Sequence, residues 1–219
     1  MTLSIETLYH IRFSERERKI KNALWQVLCR DFLQQFVQPQ DTVVDLGAGF
    51  CEFLNNINCA KKIAVDIDPY VKNFAKKDVQ VVIDNVTDLN KIASDSVDVV
   101  FVSELFEHLH NKDELIRALG EILRILKSQG TLLIICPNIR YLNAHYWDFI
   151  DHTLALNHYG LQEALQLLNF KVDKIYPRFL PYTIKARIPK SILLLKLYLR
   201  LPFLWKIFGK QMLVTAHKK

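Results

Sequence analysis

The chain has 219 residues, half of them hydrophobic, enough for one domain with a substantial core. Its 29 basic and 23 acidic residues leave a net charge of +6, but no Asp or Glu follows Asp173, whereas eleven Lys and Arg do. Residues 1–173 therefore hold 18 basic against 23 acidic residues, which argues against a nucleic-acid binder, and the basicity belongs to the tail. The four cysteines, Cys29, Cys51, Cys59 and Cys136, form no C-x-x-C pair, as suits reduced thiols in the cytoplasm. Glu6, His10 and Arg12 interrupt the N-terminal apolar residues, so no signal-peptide core is expected there. No uncharged apolar run reaches the length of a membrane span.

In chain order, residues 14–37 read as a leading helix. Ser14 caps it, Glu17 completes a capping box, and Ile20, Leu24, Val27 and Leu28 recur at helical spacing. Residues 42–46 are apolar and β-branched, the pattern of a buried strand, and run into Asp45-Leu46-Gly47-Ala48-Gly49. Glycines at 47 and 49 allow a sharp turn and close approach to a ligand. A helix is expected at 50–57, a second strand at 62–66 and a helix at 69–76. Strands follow at 79–83, 97–102 and 131–136, with a helix at 112–127 that Gln129-Gly130 would terminate. Two late strands are expected at 170–175 and 211–216. This alternation predicts an α/β fold: one mostly parallel, seven-stranded sheet with helices on both faces. The whole chain, 1–219, reads as a single domain. It has a helical lead at 1–40, a cofactor-binding core at 41–176 and a basic, apolar segment at 177–219.

Open sheets of this kind bind ligands at the carboxyl ends of their strands. The glycine turn after the first strand, with Asp66-Ile67-Asp68 at the tip of the second, marks a nucleoside-cofactor site. A dinucleotide fingerprint would carry a third glycine where Glu52 stands. Asp45, two residues before the first glycine, suits an ammonium group and repels a pyrophosphate. That favours S-adenosylmethionine over NAD. Asp84 and Asn85 follow strand three and can bond adenine. Ser103-Glu104-Leu105-Phe106-Glu107-His108 follows strand four, and Pro137-Asn138-Ile139-Arg140 follows strand five.

Asp45-Leu46-Gly47-Ala48-Gly49, Val65-Asp66-Ile67-Asp68, Asp84-Asn85, Asp98-Val99-Val100-Phe101 and Glu107-His108-Leu109 resemble the ordered motifs of class I S-adenosylmethionine-dependent methyltransferases. Arg124-Ile125-Leu126-Lys127-Ser128-Gln129-Gly130 is similar to that family's R-x-L-K-P-G-G turn. The resemblance implies the family's Rossmann-like fold. It also implies that Gly47 and Gly49 pass under the methionine moiety while Asp45 faces its ammonium. Asp66 would hold the ribose hydroxyls, with Asp68 as the alternative. Asp84 or Asn85 would read the adenine, Ile67 would pack on its ring, and Ser103 would complete the cofactor site. Cys51 replaces a family glycine, which would narrow the methionine pocket, and Ser128-Gln129 replaces Pro-Gly.

Methyl transfer from a sulfonium is an in-line displacement, and a hydroxyl acceptor needs a base near its proton. After strand five come His145, Tyr146, Trp147, Asp148, Asp151, His152 and His158. Asp151 and His152 are the expected catalytic pair, with His145 and His158 behind them. The spacings of these histidines match no standard metal-ligand pair, so no metal is expected. The stretch from Pro137 through His152, with Arg178-Phe179-Leu180-Pro181-Tyr182-Thr183, resembles a bacterial subgroup of these methyltransferases that accompanies glycan or lipid-linked saccharide assembly. The expected reaction is O-methylation of a saccharide-like or lipid-linked acceptor. N- or C-methylation of a small molecule, and a non-catalytic cofactor-binding subunit, are the alternatives. In the tail, Pro189 is expected to open a helix rich in leucine, with Lys196 and Arg200 on one face. Pro202 interrupts it before Phe203-Leu204-Trp205-Lys206-Ile207-Phe208. Two readings stay open for residues 185–210: a helix in an anionic membrane interface, or a helix packed on the sheet. The expected location is accordingly the cytoplasm, on the inner membrane face in the first reading.

Overall fold

A computed structural model describes residues 5–182 and 191–219. Seven strands, β1 (Thr42–Leu46), β2 (Lys61–Asp66), β3 (Val79–Ile83), β4 (Val97–Ser103), β5 (Leu126–Pro137), β6 (Phe170–Tyr176) and β7 (Gln211–Lys218), form one sheet. Their spatial order is β3-β2-β1-β4-β5-β7-β6. The first five are parallel, and β7 runs antiparallel between β5 and β6. The helices are α1 (Ile5–Arg12), α2 (Glu15–Asp31), α3 (Lys112–Ile125), α4 (Ile139–Leu142), α5 (His158–Leu167), α6 (Ile192–Arg200) and α7 (Pro202–Phe208). The expected mostly parallel, Rossmann-like sheet is present.

Successive residues of the central strands point to opposite faces and build two cores. On one face Val43, Val99 and Leu133 meet Val27 and Leu28 of α2, Tyr198 and Leu199 of α6 and Trp205 of α7. On the other, Val44, Val100 and Leu132 meet Leu119 and Ile122 of α3 and Leu161 and Leu165 of α5. Helix α3 shows why: Leu115, Ala118, Leu119, Ile122 and Ile125 form a single buried stripe, and Asn111 caps its first turn.

Four expectations need correction. The capping box of Ser14 and Glu17 is present, but α2 ends at Asp31 and a 3-10 turn, Leu33–Phe36, follows. Residues 50–57 form turns instead of a helix. Gly49 and Cys51 take φ of 48° and 54°, a left-handed backbone that cannot nucleate a right-handed helix. The stretch at 69–76 is only a 3-10 turn over Pro69–Asn73. The helix expected to 127 stops at Ile125, because Leu126 already pairs with Val97 in the sheet. Gln129-Gly130 therefore does not end a helix. It makes a bulge inside β5, with Gln129 at φ 62°, after which Thr131 resumes pairing against Val99. A Cβ on Gly130 would lie 2.8 Å from the Lys127 carbonyl oxygen, so the bulge requires glycine.

The tail packs on the domain. The Tyr198 hydroxyl donates to the Phe179 carbonyl, and the Trp205 indole N–H donates to the Tyr198 carbonyl. Ser191 caps α6, and the expected start at Pro189 lies outside the described residues. No helix among the described residues is long and apolar enough to cross a membrane.

Candidate active site

The strand order reverses between β1 and β4, and the glycine loop lies at that switch. The N–H groups of Gly47 and Ala48 donate to the Val65 carbonyl at 2.9 and 3.2 Å, folding the loop over the end of β2. Gly47 has φ 70°, and a Cβ there would lie 2.9 Å from Leu105 Cδ1. Gly49 N–H donates to Asp66 Oδ2 and Asp68 N–H to Asp66 Oδ1, each at 2.9 Å. Asp66 thus ties loop to strand. Burial raises its pKa, opposed by these two hydrogen bonds. Asp68 is occupied differently: its carboxylate caps the next turn by accepting the Tyr70 N–H at 2.9 Å.

At the end of β3, Asp84 Oδ1 accepts the Asn85 N–H at 3.1 Å. Asp84 Oδ2 is buried with no partner, whereas Asn85 is exposed and its Oδ1 accepts from Thr87. Of this pair, Asp84 is the one with a buried acceptor left to satisfy. Ile67, 60% exposed beside Asp66, offers an uncovered apolar surface.

A cavity of about 660 Å³ opens beside the loop. Asp45, Gly47, Gly49, Ser103 and Glu104 form its polar wall, and Leu24, Leu194, Leu197 and Phe208 an apolar one. Asp66, Ile67, Asp84 and Asn85 stand outside this lining, at the ends of β2 and β3. Asp45 is buried, and its pKa is raised by burial first and then by the charges of Asp66 and Glu52. Such a concentration of acids suits a ligand bearing ammonium and sulfonium charge and opposes a pyrophosphate. Cys51 is fully buried and is not among the residues that line the cavity. Burial pushes its thiol up to about 12, leaving it unreactive.

The expected catalytic pair is split. Asp151 is gripped by the Arg12 guanidinium, with Nη1 to Oδ2 at 2.9 Å; that ion pair, helped by His108, lowers its pKa against the opposing burial. His152 lines the cavity and packs among the rings of His108, Tyr146 and Phe149. Burial, assisted by His108, pushes its imidazole down to about 4, so it is a weak base. His145 is exposed and pairs with Asp148 at 3.2 Å. His158 is buried, with Nδ1 at 3.0 Å from the Asn138 amide nitrogen.

Sequence reasoning passed over Glu104. It follows β4 with φ 53°, lines the cavity, and accepts from Gln211 Nε2 at 2.7 Å. Burial raises its carboxyl to about 7, against the pull of Lys21 and the Gln211 bond. Its left-handed backbone is a locally strained conformation that the sequence does not announce, and since polar residues follow most strands, nothing in the sequence distinguished this one.

Residues 44–134 match the family model described as a methyltransferase domain. No curated protein matches the chain. The methyltransferase complexed with the Haloferax volcanii Trm112 methyltransferase activator is similar over 100% of this chain and 99% of its own, at 18% identity and a TM-score of 0.72. A SAM-dependent methyltransferase from Archaeoglobus fulgidus is similar over 98% and 100%, at 20% identity and a TM-score of 0.70. Geranyl diphosphate C-methyltransferase from Streptomyces coelicolor A3(2), complexed with Mg2+, geranyl diphosphate and S-adenosyl-L-homocysteine, is similar over 94% and 85%, at 17% identity and a TM-score of 0.62. These likenesses are of fold, while the domain match covers the glycine loop, both strand-tip acids and the β4 rim described above. Residues 44–134 thus form a methyltransferase domain, on the fold that the chain shares with these S-adenosylmethionine-dependent methyltransferases.

Proposed function

We propose that this enzyme methylates a hydroxyl of an acceptor with a large apolar part, such as a lipid-linked saccharide, with Glu104 as the general base. The observation that carries the reading is one cavity running from the glycine loop and Glu104 to the apolar faces of α6 and α7. Bound S-adenosylmethionine supplies an electrophilic methyl group on sulfur. In this reading Gly47 and Gly49 give the methionine moiety room, Asp45 pairs its ammonium, Asp66 accepts from the ribose and Asp84 from the adenine amino group. Ser103 borders the methionine end. Glu104 stands on the wall shared with the acceptor and takes its proton; a carboxyl near 7 is well matched to that task at neutral pH. His152 is too weakly basic for it, and Asp151 is held by Arg12.

Leu24, Leu194, Leu197 and Phe208 offer an acceptor hydrocarbon surface. The Streptomyces neighbour, named for geranyl diphosphate, supports the idea that this fold accommodates a prenyl chain. Outside the cavity, Leu193, Phe203 and Ile207 are exposed among Lys196, Arg200 and Lys206, with no acid nearby in sequence. Such a surface suits peripheral contact with an anionic membrane, on its cytoplasmic side, where a lipid-linked acceptor resides. The test is transfer of labelled methyl groups from S-adenosylmethionine to a polyprenyl-linked saccharide and to the same saccharide free. Preferred labelling of the lipid-linked form on oxygen supports the reading; labelling of free saccharide alone, or of nitrogen or carbon, overturns it.

A further inference from the structure

Glu107, His108 and His152 bring one carboxylate and two imidazoles together, with a ligand-bearing atom of each within 4.8 Å of the others. They come from two distant segments, the turn after β4 and the strap before α5. The backbone locks these together: the N–H groups of Thr153 and Leu154 donate to the Glu107 carbonyl at 2.8 and 3.0 Å, and the Thr153 hydroxyl donates to the Leu109 carbonyl at 2.7 Å. The juxtaposition is therefore built into the fold.

The side chains themselves are left unsatisfied. Glu107 is 1% exposed, and neither of its carboxylate oxygens has a hydrogen-bond partner. His152 Nδ1 is likewise buried without one. A buried carboxylate with nothing to bond is strongly disfavoured unless a cation compensates it. A protonated Glu107 would still need an acceptor for its O–H, and none lies in bonding reach. His108 is prepared in another way. Its Nδ1 is 2.9 Å from the Asp151 carbonyl oxygen, so it donates there and keeps the Nε2 lone pair for a ligand. Fixing one imidazole nitrogen on a carbonyl so that the other can coordinate is the usual support of a metal-binding histidine.

We propose that Glu107, His108 and His152 bind a divalent transition-metal cation of the zinc type at the wall of the acceptor cavity. One carboxylate and two imidazoles suit zinc, cobalt(II), manganese(II) or iron(II), whereas magnesium and calcium take oxygen ligands. Three protein ligands leave coordination positions open, the count of a catalytic site and not of a structural one. His108 and His152 line the same cavity as Ser103 and Glu104, so the open positions face the acceptor. The role, though not the site, rests on the O-methylation reading. The cation binds the acceptor hydroxyl and acidifies it. Glu104 takes the proton, the oxygen forms its bond to the methyl carbon, and the carbon–sulfur electron pair leaves with sulfur.

The test uses the full chain, stripped with a chelator and dialysed, then titrated with zinc chloride by calorimetry and with cobalt chloride by visible absorption. We expect one equivalent of each to bind, with a cobalt d–d band shaped by nitrogen and oxygen ligands. Glu107→Gln and His152→Ala should each weaken zinc binding by about 10–100-fold, the scale of a disturbed metal site. His145→Ala, at an exposed position, should not. Circular dichroism and S-adenosylmethionine titration monitor folding of every variant. If Glu107→Gln fails to fold, His108→Gln, a partly exposed position, carries the same expectation. A folded, cofactor-binding wild type that takes up neither metal stoichiometrically, or a folded variant that binds zinc as tightly as wild type, overturns the site. Metal binding that leaves methyl transfer unchanged overturns the role.

Discussion

At the scale of single residues, the cofactor side and the acceptor side of this site differ in how they are specified. Asp45 stands just before the glycines and Asp66 ends the next strand, so the strand–turn–strand order along the chain reveals them. Replacing Asp66 by Ala removes the acceptor of the Gly49 N–H and, in the proposed reading, that of a ribose hydroxyl. Hydrogen bonds to charged groups contribute about 1.5–3 kcal/mol, so calorimetry should show S-adenosylmethionine affinity falling at least tenfold. Unchanged affinity would remove Asp66 from the site. Glu104 was not legible, because its raised pKa comes from burial, opposed by Lys21 of α2 and Gln211 of β7, segments far from it in the chain. Glu104→Gln should lower kcat by about 10²–10⁴-fold, the usual worth of a positioned base, while cofactor affinity stays the same. A base must be deprotonated to act, so wild-type kcat should rise with pH through about 7, where this carboxyl loses its proton. The variant should lose that limb of the profile. A wild-type limb that persists in Glu104→Gln would assign the base elsewhere.

At the scale of elements, local pattern succeeded where one stripe or one alternation dominates. The buried stripe of α3 and the alternating faces of β1 and β4 are written in short stretches of sequence. It failed at 50–57, where apolar residues at helical density are spread over turns by left-handed Gly49 and Cys51. It failed again at 126–130, where pairing of Leu126 with Val97 ends a helix early. The junction between α7 and β7 is another place where packing decides. A Cβ on Gly209 would lie 2.6 Å from the Trp205 carbonyl oxygen and 2.7 Å from the Arg178 carbonyl carbon, both backbone atoms. Gly209→Ala should therefore cost about 1–3 kcal/mol, as overpacking does, seen as a lower denaturation midpoint. Tyr198→Phe leaves the Phe179 carbonyl without its hydroxyl donor and should cost about 1–3 kcal/mol in the same experiment. A midpoint equal to wild type in both would mean that the tail contributes little to stability.

At the scale of the whole molecule, the basic tail packs on the sheet, one of the two readings that its sequence left open, and keeps an apolar, basic outer side. Tyr198, Leu199 and Trp205 bury themselves in the core beneath β4 and β5, while Leu193, Phe203 and Ile207 stay exposed beside lysine and arginine. The proposed membrane contact predicts sedimentation with vesicles containing anionic lipid and little with zwitterionic ones. Lys196→Gln with Arg200→Gln should weaken that binding roughly thirtyfold, at about 1 kcal/mol per basic residue. Equal binding to both vesicle types, or none, would leave the tail as packing alone. From the sequence by itself follow the alternating α/β order, the glycine loop and the acids at the strand tips beside it. Each depends on neighbours within a few residues or on a repeated period. Tertiary structure alone decided which side of α6 is covered, that Arg12 pairs with Asp151, and that Glu104 joins the cavity. It also decided the meeting of Glu107 and His108 with His152. Burial and charge at those positions are set by segments far apart in the chain, and no local pattern encodes their contact.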